Sequence, residues 1–220
     1  MNKNELSVNN TDRLTIGLKG LAGVAPFVGQ LAGELIGNTI PNQRVDRIVE
    51  FVKELESRIA AVESCVDIDR SSDPEFADVM ETAFFGAARA LSEDRIRNLA
   101  NLVATGIKAD VLNYAETKHM LRLLEQLNDI EVILLRGMLP MDRGDYKLDA
   151  EFQKRHSTII CDPAIDRSST NEEADQAAIR ESYLRHLVSL GLLDDTHQVS
   201  RLGRMLLRHM EMMPEVLDYR

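Results

Sequence analysis

The chain has 220 residues, of which 44% are apolar and 28% are charged, and its formal net charge at pH 7 is −10. This length allows one large domain or two small ones, and the composition argues against a disordered chain. The excess of acidic residues disfavours nucleic-acid binding through a wide basic face. Binding through a local basic patch is still compatible with this composition. Aromatic residues are scarce at 5%, so a core of aliphatic residues and methionine is expected, which favours a mainly α fold.

Cysteine usage and the first residues bear on the compartment. Cys65 and Cys161 lie far apart and neither belongs to a CxxC pair, which favours a reducing compartment over a disulfide scaffold. Residues 1–13 form a polar leader without the basic and apolar regions of a secretory signal. We therefore expect a cytoplasmic protein, with peripheral membrane attachment as an alternative.

Residues 14–41 form an apolar segment that contains six of the twelve glycines. Pro26 divides it, so we expect a hairpin of two short helices. Gly29, Gly33 and Gly37 are four residues apart and would form a smooth stripe on a helix. Charged residues interrupt the apolar run, which argues against a simple transmembrane helix. The stripe either packs helices within the protein or serves a membrane-inserting hairpin.

Residues 42–139 are expected to form a helical bundle that begins with an amphipathic, heptad-like helix over 45–66. Apolar residues in this helix recur at alternating spacings of three and four. The repeat is barely long enough to define a coiled coil, so packing within the chain's own bundle is favoured over a dimer zipper. The candidate oligomer seam consists of Val45, Ile48, Val52, Leu55, Ile59 and Val62.

Three further helices are predicted in this bundle. The first begins at Pro74, and Ser92 caps the second. The third is expected to be continuous over 115–138. The face predicted to be buried in the first consists of Phe76, Val79, Met80, Ala83, Phe84 and Ala87.

Residues 140–220 are predicted to be a winged-helix-like module with at most a short β wing. Its first part looks irregular, and a loop, a short helix and a short strand at Thr158 to Cys161 would fit there. A helix ending near Gly191, a polar turn and a last helix capped by Ser200 follow. This part resembles the end of winged-helix domains in Tyr183, Leu184, Leu187, Leu190, Gly191, Leu192, Val199, Leu202 and Gly203.

In DNA-binding winged helices, a recognition helix presents basic and polar side chains to the major groove. Here the wing would carry Asp194 and Asp195, whose charges repel phosphate. We therefore favour a module for protein contact or packing over a DNA reader. If the module binds DNA, the candidate contacts are Arg180, Arg185, Arg201 and Arg204.

Common catalytic motifs are missing from the sequence, including the nucleophile elbow, the Walker loop and HExxH. The histidines and cysteines show no convincing metal-ligand spacing. Cys161 and His156 are the only thiol and imidazole close in sequence, and a nucleophile site there is the weakest of three hypotheses. We predict no enzyme activity, no catalytic residue, no metal and no cofactor.

The stretches "APFVG", "IPNQRVDRI", "LSEDRIRNLANLVATGI" and "LNDIEVILL" precede the winged-helix-like end. In this order they resemble bacterial helical proteins related to the Abi-alpha (abortive infection) type, which are associated with phage defence. The resemblance implies a bacterial origin, no enzyme activity and an effector directed at a membrane or a partner. It carries over no catalytic residue.

The leading hypothesis is a non-enzymatic interaction or effector protein of a bacterial phage-defence or stress system. Its partner would be another protein or a second copy of the chain in a homo-oligomer, and residues 14–40 would dock to a partner or a membrane. The alternative is a winged-helix transcriptional regulator that binds DNA as a dimer through the 45–66 helix.

Overall fold

The computed structural model describes residues 44–60, 74–108, 114–139, 146–161 and 169–213. Across these ranges the chain is mainly helical and has no named strand, which confirms the predicted helical class.

The chain divides into two units, Met1–Glu125 and Gln126–Arg220. This division falls before the boundary at residue 139 that the sequence predicts. The polar leader and the Gly-rich segment, with Gly29, Gly33 and Gly37, lie outside the described residues.

The helices of the first unit follow the predicted order. Ser92 caps the third of them, since its hydroxyl accepts a hydrogen bond from the Arg95 amide at 3.1 Å. The described helices are α1 (Val45–Ala60), α2 (Pro74–Arg89), α3 (Glu93–Lys108) and α4 (Tyr114–Gln126).

The core of the first unit forms where α1, α2 and α3 pack against one another. Phe51 of α1 and Phe84 of α2 are both 0% exposed. Their rings meet edge to face, with centroids 5.8 Å apart, an arrangement that adds to the burial energy. The whole predicted face of α2 is buried: Phe76, Val79, Met80, Ala83, Phe84 and Ala87.

The candidate oligomer seam lies largely in this same core. Val45, Ile48, Val52 and Leu55 are at most 1% exposed, because α1 packs against α2 and α3. The heptad spacing is therefore explained by packing within the chain, and these four side chains offer no surface to a second copy. Ile59 is half-buried, and Val62 lies outside the described residues.

Polar contacts also tie the helices of the first unit together. Arg58 of α1 donates from Nε to the buried Asn101 side chain of α3. Lys118 of α4 pairs with Asp78 of α2. The buried Asn101 needs such a partner to offset its desolvation, whereas Lys118 and Asp78 pair close to solvent.

The second unit contains five helices within the described ranges. α5 packs against α7 and α8, and α6 packs against α7. The buried Arg136 of α5 also lies over the Phe152 ring of α6, with its guanidinium carbon 5.2 Å from the ring centroid. The helices are α5 (Asp129–Gly137), α6 (Tyr146–Arg155), α7 (Ser157–Ile160), α8 (Asn171–Ser189) and α9 (Arg201–His209).

The prediction of a single helix over 115–138 is wrong, because the helix is interrupted between α4 and α5. The Asn128 side chain accepts from the Glu131 amide at 2.9 Å, and the Glu131 carboxylate accepts from the Asn128 amide at 2.8 Å. This reciprocal capping box starts a new helix.

The short helix expected in this part of the chain is present, but the prediction of a short strand at Thr158 to Cys161 is wrong, since these residues form or end α7. The Ile160 amide donates to the His156 carbonyl at 3.0 Å, and the Cys161 amide donates to the Ser157 carbonyl at 2.9 Å. Helical hydrogen bonds satisfy the backbone locally, whereas a lone strand would need a partner. Gly137 lets α7 approach α5, because a Cβ atom there would lie 2.8 Å from Ile160 Cγ1.

A tight turn links α8 to α9 where the sequence predicts a short wing. Gly191 has a φ of +70° and ends α8. Leu193 and Val199 then form an isolated antiparallel bridge. Ser200 caps α9, since its hydroxyl accepts from the Gly203 amide at 3.0 Å.

Candidate functional site

A pocket of about 240 Å³ opens between α5, α7 and α8, and we call it the α8 pocket. Only three large apolar side chains are exposed within the described ranges: Leu91, Ile130 and Ile179. Two of them, Ile130 at 39% and Ile179 at 54% exposed, line this pocket. Full burial of an exposed isoleucine side chain contributes about 1.5–3 kcal/mol, and a partner that covers the remaining exposed part of either side chain would gain about half of that. The second unit thus leaves an apolar surface open.

The polar lining of the α8 pocket contains one charged residue, Arg180. Its Nη2 donates to the Ile160 carbonyl at 3.1 Å, which ties α8 to the end of α7. The side chains of Thr158, Gln176 and Tyr183 also line the pocket. Thr158 and Gln176 are exposed and Tyr183 is half-buried, so hydroxyl and amide groups belong to the pocket lining together with the apolar side chains.

A buried carboxylate beside the pocket joins two of its walls. Glu131 Oε1 lies 2.6 Å from His186 Nδ1, and the Glu131 side chain is only 4% exposed. Its other oxygen accepts from the Asn128 amide at the start of α5. A buried carboxylate is tolerated when it is hydrogen-bonded in this way. Glu131 therefore fixes α5 against α8, which positions Ile130 and Tyr183 at the pocket.

The first half of α8 carries no buried side chain. Its two buried residues, Leu184 and Leu187, both lie in the second half. This first half of α8 carries Glu172, Glu173 and Asp175, and all three side chains are exposed. Glu173 closes a capping box with Thr170, whose amide donates to the carboxylate at 2.8 Å. The other two carboxylates face solvent along the helix.

The four arginines considered for DNA contact lie on two elements, α8 and α9. Arg180 lines the pocket, and Arg204 donates to the Val199 carbonyl at 2.7 Å. Arg185 pairs with Glu181 at 3.0 Å, while Arg201 is exposed. Two of the four guanidinium groups thus donate hydrogen bonds to backbone carbonyls of the second unit, and a third forms an ion pair with a carboxylate.

The thiol and imidazole considered for catalysis have different surroundings. Cys161 is an exposed free thiol that lines the α8 pocket. The His156 ring packs on Phe152, with centroids 4.6 Å apart. In the described ranges, no group of three or more His, Cys, Asp or Glu residues is arranged to hold a metal ion. Nor does any described helix combine the length and apolarity needed to cross a bilayer.

The turn between α8 and α9 depends on Asp194. Its carboxylate accepts from the Thr196 hydroxyl at 2.7 Å and from the Thr196 and Gln198 amides at 2.8 and 2.9 Å. The Thr196 hydroxyl bond, followed by the Gln198 amide bond, lowers the pKa of Asp194 below its ordinary value. The charge of His197 acts in the same direction.

We expect Asp194→Asn to remove a pH dependence from this turn. A lowered folded-state pKa stabilises the fold above the unfolded-state pKa, and this contribution is lost as pH falls through the folded pKa. The wild-type turn should therefore weaken as pH falls through the ordinary aspartate range and on through the lower folded-state pKa of Asp194, whereas the stability of the turn in the variant should stay constant over this range. Hydrogen exchange of the Gln198 amide in both proteins measures this, and parallel pH profiles would contradict it.

The fold defines a mainly α-helical protein with two units. No family model, curated protein or solved structure matches the chain. The resemblance to the Abi-alpha type therefore stays a prediction.

Proposed function

We propose that this chain is a non-enzymatic helical interaction protein whose second unit binds a partner helix at the α8 pocket. One observation carries the proposal: two of the three exposed large apolar side chains of the described residues, Ile130 and Ile179, line one pocket. Single exposed apolar residues are common, but apolar surface concentrated at one concave place marks binding sites.

The dimensions of the pocket favour a helix over a small molecule. Its volume of about 240 Å³ is below the roughly 300–1,000 Å³ typical of small-molecule sites. Its longest wall, α8, continues as an exposed helix beyond the pocket, which gives a partner helix a surface to lie along. Amphipathic helices bind such grooves through apolar residues three and four positions apart.

Selection from an unbiased library of helical peptides tests this function. We expect peptides that bind the wild-type chain and bind Ile179→Asp at least about tenfold more weakly, because the substitution places a charge in the apolar contact. Ile179 is 54% exposed, so the variant should fold. Leu91→Asp is the matched control, since Leu91 is 88% exposed on the first unit. A selection in which no peptide distinguishes Ile179→Asp from wild type contradicts the proposal.

The pocket thiol gives an independent readout of occupancy. Cys161 lines the pocket and is exposed, and in a Cys65→Ser chain it is the only thiol. A selected peptide should slow the alkylation of Cys161 by iodoacetamide. An unchanged alkylation rate at saturating peptide would place the binding site elsewhere.

The Gly-rich segment would be a second docking element, which binds a partner or a membrane. The protein would act in a bacterial phage-defence or stress system. Support comes from the sequence alone: the apolar run and the stripe of Gly29, Gly33 and Gly37. Vesicle flotation and leakage assays should separate the full chain from a chain that lacks residues 14–40. Equal behaviour of both chains would remove the membrane role.

A winged-helix regulator is the second candidate function. The order of α8, a bridged turn and α9 favours it. The exposed carboxylates of Asp194 and Asp195 on the turn oppose this function. So does the burial of the candidate oligomer seam of α1, because the dimer contact that the regulator would need lies inside the core. DNA retention at low salt that falls steeply as salt rises would support this candidate.

A further inference from the structure

The face of α8 that lines the pocket extends beyond the pocket toward the N-terminus of the helix, where it carries carboxylates. Gln176, Ile179 and Tyr183 line the pocket and are spaced by three and four, so they share one face of the helix. Glu172 lies four residues before Gln176, and Asp175 lies four residues before Ile179. Both carboxylates therefore extend the same face, and both are exposed.

These two carboxylates lie close enough to act on whatever occupies the pocket. One helical turn rises about 5.4 Å, so Asp175 lies about one turn from Ile179, and Glu172 lies about one turn from Gln176. Ile179 and Gln176 both line the pocket. Charges act over a Debye length of about 8 Å at physiological ionic strength. Arg180 is the one cation in the pocket lining, and its Nη2 donates to the Ile160 carbonyl. The two carboxylates leave the exposed half of the face negative.

We propose that the partner helix at the α8 pocket is a basic amphipathic helix. Its apolar residues contact Ile130 and Ile179, and its Lys or Arg residues one to two turns away lie opposite Asp175 and Glu172. This inference rests on the proposed function and adds the charge of the partner. A partner with acidic residues at the same positions would place like charges against exposed carboxylates, which costs affinity.

Two synthetic peptides test the inference on the full chain. Both are 15 residues long, capped at both ends, and carry leucine at positions three and four apart among alanines. One has lysine on its polar face and the other has glutamate. We expect the lysine peptide to bind more tightly, with an affinity that falls as salt rises.

A charge-neutralising variant locates the effect. Glu172→Gln with Asp175→Asn should weaken the lysine peptide about threefold to tenfold, as expected for two exposed ion pairs. Glu81→Gln with Glu93→Gln removes the same charge from exposed acids of the first unit. This control should leave the affinity unchanged.

The outcomes separate this inference from the function on which it rests. If binding depends on Ile179 but the glutamate peptide binds as tightly, or the Glu172 and Asp175 variant binds as wild type does, the basic partner is overturned and the pocket function stands. If neither designed peptide shows binding that Ile179→Asp weakens while peptides from the unbiased library do, the basic partner alone is overturned. If no library peptide distinguishes Ile179→Asp from wild type either, both the inference and the pocket function are overturned. Preference for the lysine peptide, lost in the Glu172 and Asp175 variant alone, supports the inference.

Discussion

Phe84→Ala is expected to destabilise the first unit by about 3–5 kcal/mol, the range found when a buried phenylalanine is truncated. Phe84 is 0% exposed and meets Phe51 edge to face, so the substitution removes an aromatic contact and leaves a cavity between α1 and α2. Urea unfolding followed by circular dichroism measures the loss.

The neighbouring residue provides a matched control for this prediction. Phe85 is half-buried, and the Arg89 guanidinium carbon lies 6.0 Å from its ring centroid. Phe85→Ala removes the same atoms from a partly solvated position, so its cost should be clearly smaller. Equal losses in the two variants would show that Phe84 does not occupy the core as described.

Gly203→Ala is expected to destabilise the second unit by about 3 kcal/mol or more, at or beyond the upper end of ordinary overpacking. A Cβ atom at Gly203 would lie 2.3 Å from the Leu192 carbonyl oxygen and 3.0 Å from Val199 Cγ1. That carbonyl also accepts from the Ser200 amide at 3.0 Å. The backbone therefore cannot move away without breaking the turn before α9.

This loss opposes intrinsic helix propensity, which favours alanine over glycine by about 1 kcal/mol. Gly86→Ala in α2 is the control, because a Cβ atom there would meet only Leu99 side-chain atoms, the nearest at 3.3 Å. Hydrogen exchange of the α9 amides should accelerate in Gly203→Ala and stay unchanged in Gly86→Ala. Unchanged α9 protection in Gly203→Ala would contradict the contact.

Helix faces and caps were predictable because they depend on local spacing. The buried face of α2 follows from apolar residues at helical intervals, and Ser92 and Ser200 precede their helices as hydroxyl caps. The break at Asn128 was also encoded locally, in an Asn followed three residues later by Glu. The apolar residues on either side keep their spacing across it, which favoured one long helix.

The candidate site was not predictable in the same way, because tertiary packing assembles it. Ile130 and Ile179 lie on different helices and show no unusual pattern in the sequence. The contact between Glu131 and His186 was missed, and only the capping-box glutamate hinted that this carboxylate has a fixed position. The short apolar run at α7 fits a strand or a helix equally well until its neighbours are known.

The double role of Glu131 has a consequence for motion. The Glu131 carboxylate accepts the capping-box hydrogen bond at the N-terminus of α5 and also contacts His186 of α8. Fraying of the first turn of α5 and separation of α5 from α8 therefore break bonds to the same group, so the two events should occur together as one cooperative opening. The pocket walls would then exchange between two states instead of loosening gradually.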